Sequence, residues 1–225
     1  STRQSKAATK RRGLDAQTAR PLFLALGVFV DKSESFYQSL ESALSKSTKF
    51  NLNDIPRVSF KDYPEEKNKQ LKSLIEKWFV STISSRDTNG VPRSLTIDDC
   101  SGMATSLYLF LKKNNIPCHL VIGDMKIFGE LEYNTSYEYL YEIINGKEHQ
   151  TIEYHVWVVI ENFWIVDPTF RLKETEKEQF IAGKTNSGVY IVDIEKVPDG
   201  LEYIPMLVGV ELLTTTNQVN LSSFS

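Results

Sequence analysis

Two cysteines and three histidines are all the thiols and imidazoles that 225 residues offer here. Two cysteines are too few for a disulfide framework or an all-cysteine metal site. A zinc site drawing on Cys100 and Cys118 with His119, His149 or His155 lacks the usual close-spaced ligand pairs, so no metal or cofactor is expected. Long apolar runs are also missing. The longest near the start, Pro21 to Val30, is about half of what a bilayer-spanning helix needs, and Asp31 closes it. Charged residues rather than a small-residue cleavage site follow that run, so neither a membrane span nor a signal peptide is expected. The formal charge of -3 gives no global basic field for nucleic acid. A cytoplasmic protein is expected, or an effector delivered without a recognisable signal peptide.

The basic residues that do occur are bunched. Residues 1–20 hold six of them (Arg3, Lys6, Lys10, Arg11, Arg12, Arg20) against Asp15, about +5, leaving about -8 on the other 205 residues. This reads as a polar arm ahead of a single domain over 21–225. Such an arm could touch nucleic acid, a membrane surface or an acidic partner, and its plainer reading is a disordered linker. With 41% hydrophobic and 24% charged residues, the remainder has the composition of a globular protein with one sizeable core.

Helical spacing appears over Ser33 to Lys46, with Phe36, Leu40 and Leu44 on one face. It recurs over Glu65 to Thr82, with Leu71, Leu74, Ile75, Trp78 and Phe79, and over Ser101 to Lys113, with Met103, Leu107, Phe110 and Leu111. Residues 84–97 collect turn formers and read as a loop. A strand is expected over Cys118 to Gly123, and Asn145-Gly146 signals a hairpin joining strands at about 137–144 and 147–160. Another reversal at Glu161-Asn162 leads to a strand over Phe163 to Thr169. A helix at Glu174 to Ala182 and strands at Val189 to Ile194 and Met206 to Leu213 complete an α+β pattern.

The chemistry centres on Cys100, at the N-terminal edge of a predicted helix, where unpaired backbone N–H groups and the helix dipole favour a thiolate. Asp98 and Asp99 oppose a second anion, so activation would need an imidazolium partner; as capping residues they are otherwise ordinary. His155 opens the run HVWVVI and Asp167 closes the run FWIVD, twelve residues later. Side chains alternate along strands, so an even separation across an unbulged hairpin puts both on one face. A three-residue turn at Ile160, Glu161 and Asn162 would set them directly opposite. Asp167 then orients His155, His155 takes the Cys100 proton, and the thiolate attacks a carbonyl carbon. The oxyanion would rest on the Cys100 backbone N–H and one further donor that the sequence does not identify. Cys118 reads as core, as do Trp157 and Trp164. His119 and His149 read as structural or exposed, and Glu153, on the same face as His155, reads as a solvated carboxylate.

The segments DDCSGMATSLYLFLKKNNIPCHLVIGD and HVWVVIENFWIVDPTF resemble the core of the transglutaminase-like superfamily. The shared pattern is a helix-start cysteine, a helix ending in Ile-Pro, a strand ending in Gly, an H-x-W strand and a D-P-T strand. It covers about 96–170. The resemblance implies a papain-like α+β fold, N-terminal helices packed on an antiparallel sheet, and Cys100, His155 and Asp167 as nucleophile, base and orienting acid. Asp99 departs from the small residue the family often has there, and the calcium sites of the animal enzymes have no counterpart. The Asp124 to Tyr154 stretch, with Tyr133, Tyr137, Tyr139, Tyr141 and Tyr154, reads as an insertion, either a substrate-contacting wall or a sheet using Tyr for strand propensity. The resemblance implies acyl transfer on a protein or peptide amide through a thioester, with hydrolysis (protease or deamidase) slightly ahead of transamidation. Two other functions fit the same residues: a non-catalytic protein-binding module, and acyl transfer from a small-molecule thioester.

Overall fold

The computed structural model describes residues 32–50, 52, 60–84, 100–149, 151, 153–161, 163–170, 183 and 188–224. The chain divides into two compact units, Ser1–Val30 and Asp31–Ser225, and the described residues all belong to the second. The basic arm, the apolar run at 21–30, the loop from residue 85 to 97, Asp98, Asp99, Asn162 and the helix expected at 174–182 lie outside the described residues.

Among the described residues, five α-helices and six strands make an α+β fold: α1 (Lys32–Lys49), α2 (Glu65–Ile83), α3 (Cys100–Lys113), β1 (Cys118–Ile127), β2 (Glu130–Leu131), α4 (Tyr137–Ile144), β3 (His155–Ile160), β4 (Trp164–Asp167), β5 (Tyr190–Asp193), β6 (Leu201–Val208) and α5 (Glu211–Thr215). One antiparallel sheet runs in the order β2-β1-β3-β4-β5, and β6 also pairs with β1. Alternation along the strands sends side chains to two cores. Leu120, Ile122, Val156, Val158, Ile160 and Val166 pack with α2 and α3 through Ile75, Phe79, Met103, Leu107 and Leu111. Val121, Met125, Trp157, Val159, Ile165 and Tyr203 pack instead with Phe36, Leu40 and Ala43 of α1. Helices therefore cover both sheet faces, which is why HVWVVI is buried at every position rather than at alternate ones. Ser47 ties α1 to the sheet: its buried hydroxyl donates to Ala43 O (2.9 Å) and accepts from Val208 N (2.7 Å).

The first three helices match the sequence expectation within a few residues, although Leu44, Leu74 and Phe110 are only half-buried. Two expectations are corrected. Residues 137–144 form α4, not a strand, and no hairpin turns at Asn145-Gly146. Ser136 caps this helix by accepting from Tyr139 N at 3.0 Å. At its other end Gly146, at φ +83°, donates to Ile143 O (3.1 Å) while Lys147 N donates to Glu142 O (3.0 Å). These two bonds satisfy the last helical carbonyls, so the Asn-Gly pair ends a helix instead of joining strands. The strand expected at 206–213 lies earlier, at Leu201–Val208, and 211–215 are helical. Pro205 hid it. The structure accommodates that proline where the register slips, with Ile122 opposite Leu207 and Gly123 opposite Pro205, leaving Met206 as the extra residue of a bulge. Among the described residues, no helix is long and apolar enough to cross a membrane.

Candidate active site

Cys100 is the first residue of α3 and only half-buried, whereas Ser101, Gly102 and Met103 behind it are buried. The thiol therefore sits at the rim of a firmly packed helix start, where the first N–H groups have no intrahelical acceptor. Both cysteines are free.

His155 begins β3 and Asp167 ends β4. The strands pair with Val158 opposite Val166 and Ile160 opposite Trp164, so the reversal lies between Ile160 and Trp164, one residue later than expected, and each residue's partner moves by two positions. The two side chains are diagonal neighbours rather than directly opposite. A displacement by two residues preserves the face, because the side-chain period is two. Phe163 supplies the left-handed residue of the turn, at φ +67°. His155 Nε2 lies 2.5 Å from Asp167 Oδ2, with both side chains almost fully buried. The carboxylate is held from every side: Tyr203 Oη donates to Oδ2 at 3.1 Å, and Thr169 donates to Oδ1 from its N–H (3.0 Å) and its hydroxyl (3.3 Å). The D-P-T run is thus a clamp, in which Pro168 turns the chain and Thr169 grips the acid two residues earlier.

Two aromatic rings stack near the imidazole, Tyr133 at a centroid distance of 5.2 Å and 12°, and Trp157 at 5.9 Å and 25°. Tyr133 lies on the loop after β2, and that loop is built around buried Asp124. The Asp124 carboxylate accepts from Met125 N (2.7 Å), Tyr133 N (3.1 Å) and Thr135 N (2.8 Å). Thr135 Oγ1 then donates to Glu153 O (2.6 Å), linking the loop to the lead-in of β3.

Burial is the strongest single influence on His155 and disfavours its cation. It is outweighed by the Asp167 charge and hydrogen bond, and by the neighbouring Cys100 thiol, so the pKa is pushed up to about 10. With Nε2 committed to Asp167, Nδ1 is the nitrogen left for Cys100. It is buried and makes no well-formed hydrogen bond among the described residues, so the influence of Cys100 is exerted across a loose contact. Thiol–base contacts of this kind commonly tighten only when substrate binds. Cys100 belongs to the layer of α3 while His155 and Asp167 face the α1 side. They meet because His155 is the first residue of β3, at the sheet's margin.

The remaining candidates stand apart. Cys118 is buried in β1, and burial pushes its thiol up to about 12, as suits inert core. His119 is buried, and burial drives its pKa down to about 4, so it is a neutral structural residue. His149 packs edge-on against Tyr139 and lies 3.3 Å from Glu142. Glu153 accepts from Thr151 Oγ1 (3.4 Å). Trp157 is core and also a wall of the site; Trp164 is half-buried. Of the five tyrosines in the 124–154 stretch, Tyr133 alone stacks on the imidazole, and none of the five lies in a strand: Tyr137, Tyr139 and Tyr141 belong to α4, and Tyr133 and Tyr154 to loops. The sequence did not single out Asp124, Thr169 or Tyr203. The Asx-like spacing in Asp167-Pro-Thr169 was the available signal for Thr169, whereas Tyr203 reaches Asp167 only through the sheet order.

Among the described residues, no three His, Cys, Asp or Glu side chains gather as a metal site. No protein-family model, no curated protein and no solved structure matches this chain.

Proposed function

We propose that this protein is a transglutaminase-like thiol acyl-transfer enzyme with a papain-like arrangement of its core, acting on a protein or peptide amide with water as the final acceptor. The observation that carries the reading is the buried His155–Asp167 pair at 2.5 Å with the thiol of a helix-start cysteine acting on the same imidazole. Nothing in the packing of a sheet calls for a charged pair at this depth. Burying it is expensive unless the ionised state is used, and an imidazolium beside a thiol favours the thiolate.

In the proposed reaction the Cys100 sulfur bonds to the amide carbon and the carbonyl pair moves onto oxygen. That charge is received by N–H groups at the start of α3. The carbonyl re-forms, the C–N bond breaks, and the departing nitrogen takes the proton held on His155, leaving a thioester. Water then attacks the thioester, giving its proton to His155, and the thiolate leaves. Asp167 keeps the ring oriented throughout, and Tyr203 and Thr169 keep Asp167 in place.

Incubating the protein and its Cys100→Ala variant with glutamine-containing peptides, followed by mass measurement, tests the reading. Expected is ammonia release or chain cleavage with the wild-type protein alone. Equal behaviour of the two proteins would overturn it, and incorporation of an added amine would replace hydrolysis by transamidation.

A further inference from the structure

An oxyanion formed beside Cys100 needs, besides the helix N–H groups, a second donor to share its charge. We propose that the Tyr133 hydroxyl is this second donor, positioned over His155 by the buried Asp124 carboxylate. The inference rests on the acyl-transfer reading of Cys100, His155 and Asp167.

Tyr133 lies near-parallel to the His155 ring at 5.2 Å, beside the imidazole that serves Cys100. Tyr133 is half-buried, and the hydrogen bond it makes to Asp124 comes from its backbone N–H, which leaves the hydroxyl for a ligand. Its backbone, by contrast, is fixed, since Asp124 accepts from Tyr133 N and from Thr135 N, and Thr135 is bound in turn to Glu153 O. Burial raises the Tyr133 pKa well above the ordinary phenol value, and of the nearby charges that of Cys100 acts on it most strongly, ahead of Asp167, Glu132 and Asp124. The phenol therefore remains a donor at any working pH and senses the sulfur before any carboxylate. A buried aspartate accepting three backbone N–H groups has no need to hold an aromatic over a catalytic ring for stability alone; here it presents a neutral O–H donor beside the nucleophile, as preorganised electrostatic catalysis requires. As sulfur bonds to the carbonyl carbon, the oxygen gains the displaced pair and accepts hydrogen bonds from Cys100 N–H and Tyr133 O–H. No proton is transferred from the phenol, and the bonds weaken again when the carbonyl re-forms.

Two electrophiles separate this role from a structural one. Acylation of Cys100 by p-nitrophenyl acetate passes through an oxyanion; alkylation by iodoacetamide does not. In the full-length chain, Tyr133→Phe keeps the stacked ring and should slow acylation about a hundredfold while leaving alkylation unchanged. Asp124→Asn, which loosens the clamp but keeps the hydroxyl, should slow acylation to a smaller degree, again without slowing alkylation. Parallel loss of both rates in Tyr133→Phe, or loss of neither, overturns the donor role while leaving the thiol enzyme standing. A wild-type Cys100 that reacts with both reagents no faster than free cysteine overturns the acyl-transfer reading and this inference with it.

Discussion

At the scale of single residues, Asp167 decides the charge on His155. Burial alone would leave the imidazole neutral, and the raised pKa comes first from the Asp167 charge and hydrogen bond. Asp167→Asn keeps the size and a hydrogen-bonding oxygen but removes the charge, so burial prevails and the ring becomes neutral at pH 7. Acyl turnover should then fall by roughly 10³–10⁴, with folding retained. Turnover within a few-fold of wild type would show that the charge on this carboxylate is not used. The three residues of the proposed triad could be picked from the sequence because each carries a local sign: a helix start, the opening of an apolar strand, and a D-P-T turn. Their supports were not. Tyr203 is 36 residues from Asp167 and reaches it only because β6 folds back on β1.

Elements set how exactly those side chains meet, and Gly123 is the position where three strands constrain one backbone. It faces His155 across the β1–β3 ladder and Pro205 across the β1–β6 bulge. A Cβ there would collide with the carbonyl oxygen of Ile204, which is backbone and cannot swing aside. Gly123→Ala should destabilise the fold by about 1–3 kcal/mol or more, seen as a lower urea midpoint at unchanged slope. A variant as stable as wild type would mean that β6 shifts freely. The sequence suggested a strand ending at Gly123, whereas β1 runs on to Ile127, and the reason for the glycine was hidden because the bulge depends on Pro205, which itself disguised β6. The periods of α1, α2 and α3 were read well because they are local and long, whereas the shorter α4 and α5 passed for strands. Asn145-Gly146 failed as a hairpin signal because a left-handed glycine ends a helix as readily as it turns a strand. The hairpin register was displaced by two, and the shared face survived because parity, not length of turn, determines it.

For the molecule as a whole, two buried histidines pull stability in opposite directions with pH. His155 binds its proton more tightly folded than unfolded, so its contribution is complete below about pH 6.5 and is lost as pH rises towards about 10. His119 is the reverse: its pKa is lowered by burial, so its contribution is complete above about pH 6.5 and is lost as pH falls towards about 4. Thermal melts should therefore show stability declining on both sides of neutrality. His155→Gln should flatten the alkaline side and His119→Asn the acid side. Unchanged limbs in both variants would contradict the assigned charge states.

The claim on which the rest depends is that a protonated His155 stands ready beside Cys100 at neutral pH, and timed iodoacetamide labelling followed by peptide mapping addresses it without knowledge of the substrate. At pH 7, Cys100 should alkylate faster than free cysteine and Cys118 should stay unlabelled, and the advantage of Cys100 should vanish in His155→Gln. Labelling of Cys100 at the rate of free cysteine, unaffected by loss of the imidazole, would contradict the account.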